Sequence, residues 1–277
     1  MRVQKNKWFH NRAMLVEVFI IANLAFLALD VFIAHSVNAF AHWGEWIPFW
    51  FSLVAAVLLL LIFGRSLTKR EADVFAHLRQ GMGQWTGLVV GFISIVIGIT
   101  GMLFHMGSQF FSLMTIKSLV YTAPFVAPLA FSGLGFLLIL NRMVNAQLLE
   151  WGKWILFLTM SGFVGNFTLS LCDHAQNGFF YSREWIPVFT SAAAVGFLIT
   201  AILRPVDRVF LVICLAIMVI NSGVGVLGFY YHLSSNLHGI SSNLKDNFLY
   251  GSPVFAPLLF PNLALLGVIG IWDVMVK

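Results

Sequence analysis

The sequence predicts an all-α integral membrane protein. Eight transmembrane helices form two parallel-related four-helix repeats, residues 1–146 and 147–277, with the N- and C-termini cytoplasmic. Three observations carry this expectation. Of 277 residues, 60% are hydrophobic and only 10% charged, where a soluble domain carries about 25% charged residues. Eight apolar segments approach or reach the roughly 20 residues that a spanning helix needs. Finally, three motifs recur in the same order in each half, and a repeat of this kind governs the whole architecture.

The apolar segments are 13–35, 47–64, 85–106, 119–140, 151–173, 187–203, 209–232 and 251–274. The basic N-terminus leads into the first without a small-residue cleavage site, so it reads as a retained helix rather than a signal peptide. That helix stays mostly apolar past His35 to Phe40. Between the second and third segments, KREADVFAHLRQ (Lys69–Gln80) reads as a short cytoplasmic helix. The Ser- and Asn-rich connection from Leu233 to Asn247 is the longest on the opposite side. It suits a solvated linker or a docking surface for a partner.

Of the 16 Lys and Arg, all but Lys117, Arg183 and Lys245 fall on one side of this arrangement. The positive-inside rule makes that side cytoplasmic. The net charge of +5 is thereby explained by topology and gives no reason to expect nucleic acid. His35, His42, His105, His174, His232 and His238 then lie near the outer face, and His10 and His77 near the cytoplasm. An even number of helices per repeat orients both copies alike, about an axis along the membrane normal. Many transporters use inverted repeats instead, and the polar residues here gather at the outer end rather than the midplane. Transport is therefore the least favoured class.

The first echo pairs HSVNAFAHWGEWIP (35–48) with HAQNGFFYSREWIP (174–187), without a gap. The second pairs Gly98-x-x-Gly101-x-x-x-His105 with Gly225-x-x-Gly228-x-x-x-His232. The third pairs Pro124-x-x-Ala127-Pro128-Leu129-x-Phe131 with Pro253-x-x-Ala256-Pro257-Leu258-x-Phe260. Each copy thus carries two histidines at similar depth on different helices, His35 with His105 and His174 with His232. Two imidazoles facing each other are what a bis-histidine b-type haem needs. Gly98, Gly101, Gly225 and Gly228 leave either a flat face for a macrocycle or a close helix contact. Neutral imidazole also suits a Cu, Fe or Zn ion, which all four histidines could share, with Asp173 and His42 as further donors.

Glu45 and Glu184 precede Trp-Ile-Pro at a helix start, where a carboxylate favours the N-terminus electrostatically. Beside the histidines they are also candidate proton acceptors for a quinol. Charge within a bilayer marks function by default. Asp30, about a turn from His35, fits that description, and Glu17 lies close enough to the cytoplasmic boundary to reach water. Asn23 and Asn166 suit interhelical hydrogen bonds. The two cysteines, Cys172 and Cys214, form no CxxC, and GxSxG, HExxH, Walker A and dense histidine boxes are missing.

In architecture, two four-helix units with paired histidines resemble membrane b-type cytochromes and the quinone-handling subunits of respiratory complexes. That resemblance implies electron transfer between a quinone pool and a protein partner at the outer face. A non-haem metal site and a non-catalytic membrane anchor of a larger complex are the alternatives.

Overall fold

The computed structural model describes residues 11–67 and 78–277. The short helix expected from Lys69 falls almost wholly outside the described residues, as do His10 and His77. The long helices are α1 (Arg12–Ser36), α2 (Trp46–Leu67), α3 (Gly81–Gly107), α4 (Leu129–Met143), α5 (Leu149–Gln176), α6 (Trp185–Leu203), α7 (Arg208–Leu237) and α8 (Leu259–Met275). No strand occurs among the described residues. Seven of these helices, all but α4, are long and apolar enough to cross a membrane when short turns continuous with them are included. The protein is an integral multi-pass membrane protein.

The fourth expected span, 119–140, is corrected by the structure. It divides into a short helix, Ile116–Tyr121, a non-helical stretch through Pro128, and the 15-residue α4. At 1.5 Å per residue α4 is roughly 22 Å long, short of the roughly 30 Å hydrocarbon core. Pro124 and Pro128 are the physical cause, since neither can donate a helical hydrogen bond. Its matched segment, 251–274, is interrupted in the same way. It begins with a single turn at Ala256–Leu258 and becomes α8 only at Leu259.

Helix α1 stops at Ser36 rather than running on to Phe40. Ala39 and Phe40 turn the chain with φ of 55° and 53°, and Gly178 and Phe179 do so with 68° and 52°. A left-handed backbone is costly for a bulky residue. It is held here by stacking: the Phe40 ring lies 3.9 Å from Trp46, and Phe179 lies 3.8 Å from Trp185. The Phe40 amide also donates to the His35 carbonyl, and that of Phe179 to His174. The chain thus reverses through residues 37–42 and 177–181, directly beside each first histidine.

The small-residue stripe of α3 is its contact with α4. A Cβ on Gly87 would fall on Arg142, on Gly91 against Ile139 and the Gly135 carbonyl, and on Gly98 against Ser132 and the Pro128 carbonyl. Gly101 faces Pro128, while Gly225 and Gly228 on α7 face Pro257, Phe260 and Pro261. These glycines let helix backbones approach closely.

Buried ionic groups fasten the end of the bundle that carries Arg12 and Lys277. Glu17 does not reach water as the sequence suggested. It is fully buried, and Arg142 donates two parallel hydrogen bonds to its carboxylate at 2.5 Å each. Asn141 adds a third to the same carboxylate at 3.0 Å. Buried Asp273 on α8 pairs with Arg12 and Lys277. Across the two halves, Asn23 of α1 and Asn262 of α8 exchange hydrogen bonds, and Phe26 packs edge-on to Phe255 at 5.3 Å. Gln176 of α5 donates to the Val120 carbonyl. Asn23 is therefore the interhelical bond the sequence suggested, whereas the Asn166 amide nitrogen is buried without a partner.

Candidate functional site: two histidine–carboxylate pairs

All four matched histidines lie at the end of the bundle opposite Arg12 and Lys277. They pair within the halves. The His35 and His105 rings are 6.2 Å apart at 71°, and His174 lies within electrostatic range of His232. The antiparallel course of α1, α2 and α3 causes this, because the C-terminal ends of α1 and α3 flank the start of α2.

In each pair the second histidine meets a proline carbonyl. The His105 Nδ1 lies 2.9 Å from the Pro124 carbonyl, and the His232 Nδ1 lies 2.8 Å from that of Pro253. A carbonyl can only accept, so in the neutral ring Nδ1 carries the proton and Nε2 presents a lone pair. The Pro-x-x-Ala-Pro break is what turns these carbonyls out of the helical ladder toward the histidine. Thr122 donates to the His105 carbonyl at 2.7 Å and shares a bond with Ser108, which secures the same corner.

Both glutamates sit in the first turn at the start of the helical run, as the electrostatic reading expects, but neither makes a side-chain cap hydrogen bond. Their carboxylates turn back to the first histidine of the pair. Glu45 Oε2 is 3.4 Å from His35 Nδ1, and Glu184 Oε2 is 3.7 Å from His174 Nδ1. Asn38 donates to Glu45 Oε1 at 2.9 Å. Both Oε2 atoms are buried without a hydrogen-bond partner. A buried carboxylate oxygen without a hydrogen bond is expensive, and each sits beside an imidazole able to share a proton with it.

Of the other candidates, Asp30 and Asp173 are half-buried in α1 and α5. His42 is exposed at the turn before α2. His238 lies within hydrogen-bond distance of the Ser234 carbonyl. The Leu233–Asn247 connection is no loose linker: α7 runs to Leu237, and Asn236 and Asn247 knit the loop through Ser252 and Ser241.

Two imidazoles 6.2 Å apart leave a gap of the order that one metal bridges, at about 2 Å from each ligating nitrogen. In this respect the ligand pair fits a haem iron. The glycine faces beside it do not supply the bed, because Pro128 and Ser132, or Pro257 and Phe260, fill them. Among the described residues no three His, Cys, Asp or Glu stand together so as to hold a metal ion. The proline carbonyls and the carboxylate-to-imidazole turn are what sequence reasoning missed. The signal was present in the fixed order of the three echoes, which brings the third motif back to the histidine of the second. No family model, curated protein or solved structure matches this chain.

Proposed function

We propose that this protein is a membrane electron-transfer subunit that exchanges electrons with the quinone pool at its outer face. In this reading the bundle comprises eight spans in two parallel four-helix repeats, with α4 completing its span through the Pro-rich break. The excess of Lys and Arg at the opposite end supports placing the histidines outside.

The observation that carries the reading is the buried Oε2 of Glu45 and of Glu184, each without a hydrogen bond and facing a histidine Nδ1, of His35 and His174, at ion-pair distance. A quinol loses two protons and two electrons in becoming a quinone. His105 Nε2 takes the proton of one hydroxyl and the Glu45–His35 pair that of the other, and both protons pass on to outer water. The electrons go to a one-electron carrier on a protein partner at the outer face. A second reading, a b-type haem ligated by His35 and His105 and, by the repeat, by His174 and His232, draws on the 6.2 Å separation of the first pair of rings. When bound, that group would itself supply the one-electron carrier.

The test is anaerobic titration of a quinol into the protein in nanodiscs, followed by tryptophan fluorescence. Saturable binding that weakens at least about tenfold in the His105→Ala/His232→Ala double variant supports the proposal. Absence of binding to wild type, or equal binding to the variant, overturns it. A reduced-minus-oxidised visible spectrum of the same sample decides the second reading: a b-type band lost in His105→Ala supports it, and no band overturns it.

A further inference from the structure

The halves match at the histidines and differ around them. In the second half the Arg183 guanidinium lies 4.3 Å from the Tyr181 ring centre and 4.5 Å from that of Tyr231. This fastens the loop before α6 to the end of α7. The matched first-half residues are Gly44, His42 and Phe104. A Cβ on Gly44 would meet nothing, and Phe104 is exposed. Deeper down, α6 and α7 are tied together: Asn221 donates to the Thr190 carbonyl at 3.3 Å, and Phe197 stacks on Phe210 at 5.5 Å. Helices α2 and α3 instead leave between them a cleft of about 380 Å³. Phe51, Val54 and Leu58 of α2 and Trp85, Val89 and Ile93 of α3 line it, and Thr86 is the one polar residue on its wall.

We propose that this cleft receives the isoprenoid tail of a quinol held at the first-half pair, and that the second half, closed between α6 and α7, offers no such tail site. The inference rests on the quinol reading above. The two helices that wall the cleft are the two that carry Glu45 and His105 at their histidine ends. Phe51 lies six residues from Glu45, roughly 9 Å along the axis, and Ile93 lies twelve from His105, roughly 18 Å. The cleft therefore begins roughly 9–18 Å from the histidine end along the same two helices, within reach of an isoprenoid tail. The volume lies within the range of small-molecule sites. Val54 and Val89 are half-exposed on its mouth, so the cleft opens sideways to the bilayer, from which a membrane quinol arrives. Apolar walls favour a hydrocarbon chain and offer nothing to a polar ligand.

The experiment compares two quinols with the same head, one with a full isoprenoid tail and one with none. Both are titrated in nanodiscs against wild type, Val54→Trp, Val89→Trp and Ala193→Trp. Val54 and Val89 face the cleft from opposite walls, so either tryptophan fills it; Ala193 is exposed on α6, at the position that matches Val54. We expect wild type to bind the tailed quinol more tightly. Val54→Trp and Val89→Trp should remove that advantage, at least about tenfold in affinity, and leave the tailless quinol unchanged. Ala193→Trp should bind both like wild type. Equal binding of both quinols by wild type, or a tail advantage that survives both cleft variants, overturns the tail site while sparing the quinol reading. That result is expected if an ordinary lipid acyl chain fills the cleft. Failure of wild type to bind either quinol overturns both.

Discussion

Removing Glu17 should be among the most damaging single changes available in this chain. Its carboxylate receives both Arg142 Nη atoms at 2.5 Å and Asn141 at 3.0 Å, and both charged residues are fully or almost fully buried. In Glu17→Leu the guanidinium keeps only its Nε bond to the Gly83 carbonyl, at 3.3 Å. An uncompensated buried charge costs about 3–5 kcal/mol. The double variant Glu17→Leu/Arg142→Met removes both charges and replaces them with apolar groups, so its loss should stay within about 1 kcal/mol. The coupling between the sites is then several kcal/mol, against a few tenths for independent positions. Equilibrium unfolding in mixed micelles, followed by tryptophan fluorescence, measures all four corners of the cycle. A single-variant loss below about 1 kcal/mol, or a double variant equal to the sum of the singles, would refute the idea that this pair clamps α1 to α4.

Helix contacts and the second-half latch give further outcomes. Gly98→Ala and Gly225→Ala should each cost about 1–3 kcal/mol, because the new methyl meets backbone that cannot move aside. Gly133→Ala, whose Cβ would meet nothing, should be neutral or slightly stabilising; thermal unfolding distinguishes the three. Arg183→Ala should raise deuterium uptake in residues 178–184 and leave residues 39–45 unchanged, since only the second-half loop is held between two tyrosines. Asn262→Leu should lower stability by about 1 kcal/mol through the Asn23 Oδ1 left without a donor, while its amide nitrogen keeps the Phe19 carbonyl, read in the same unfolding assay.

Composition and periodicity made the helical membrane bundle legible, since burying a polar backbone in lipid leaves few other solutions. Helix ends were less so. Hydropathy treats Thr122–Pro128 as apolar, yet two prolines unwind it, and it overlooks Ala39 and Phe40, whose strained turn depends on a ring stacked from six residues ahead. The histidine pairs were legible as echoes, but their partners were not. A backbone carbonyl such as that of Pro124 leaves no mark in a side-chain motif. The Glu45 carboxylate could have capped α2 or turned back to His35, and the choice was made by the sharp 36–45 loop. Glu17 was misjudged because its partner lies 125 residues away. The asymmetry between the halves rests on Arg183 and Gly44, positions where the repeat differs and which a search for likeness passes over.

The most direct measurement is redox-induced infrared difference spectroscopy of the protein with bound quinone. If Glu45 and Glu184 take up protons on quinol oxidation, wild type should show a carboxylic C=O band that disappears in the Glu45→Gln/Glu184→Gln double variant, with the quinone bands retained. Identical carboxyl regions in wild type and the double variant, with quinone still bound and turning over, would contradict the proton-accepting role of these two residues.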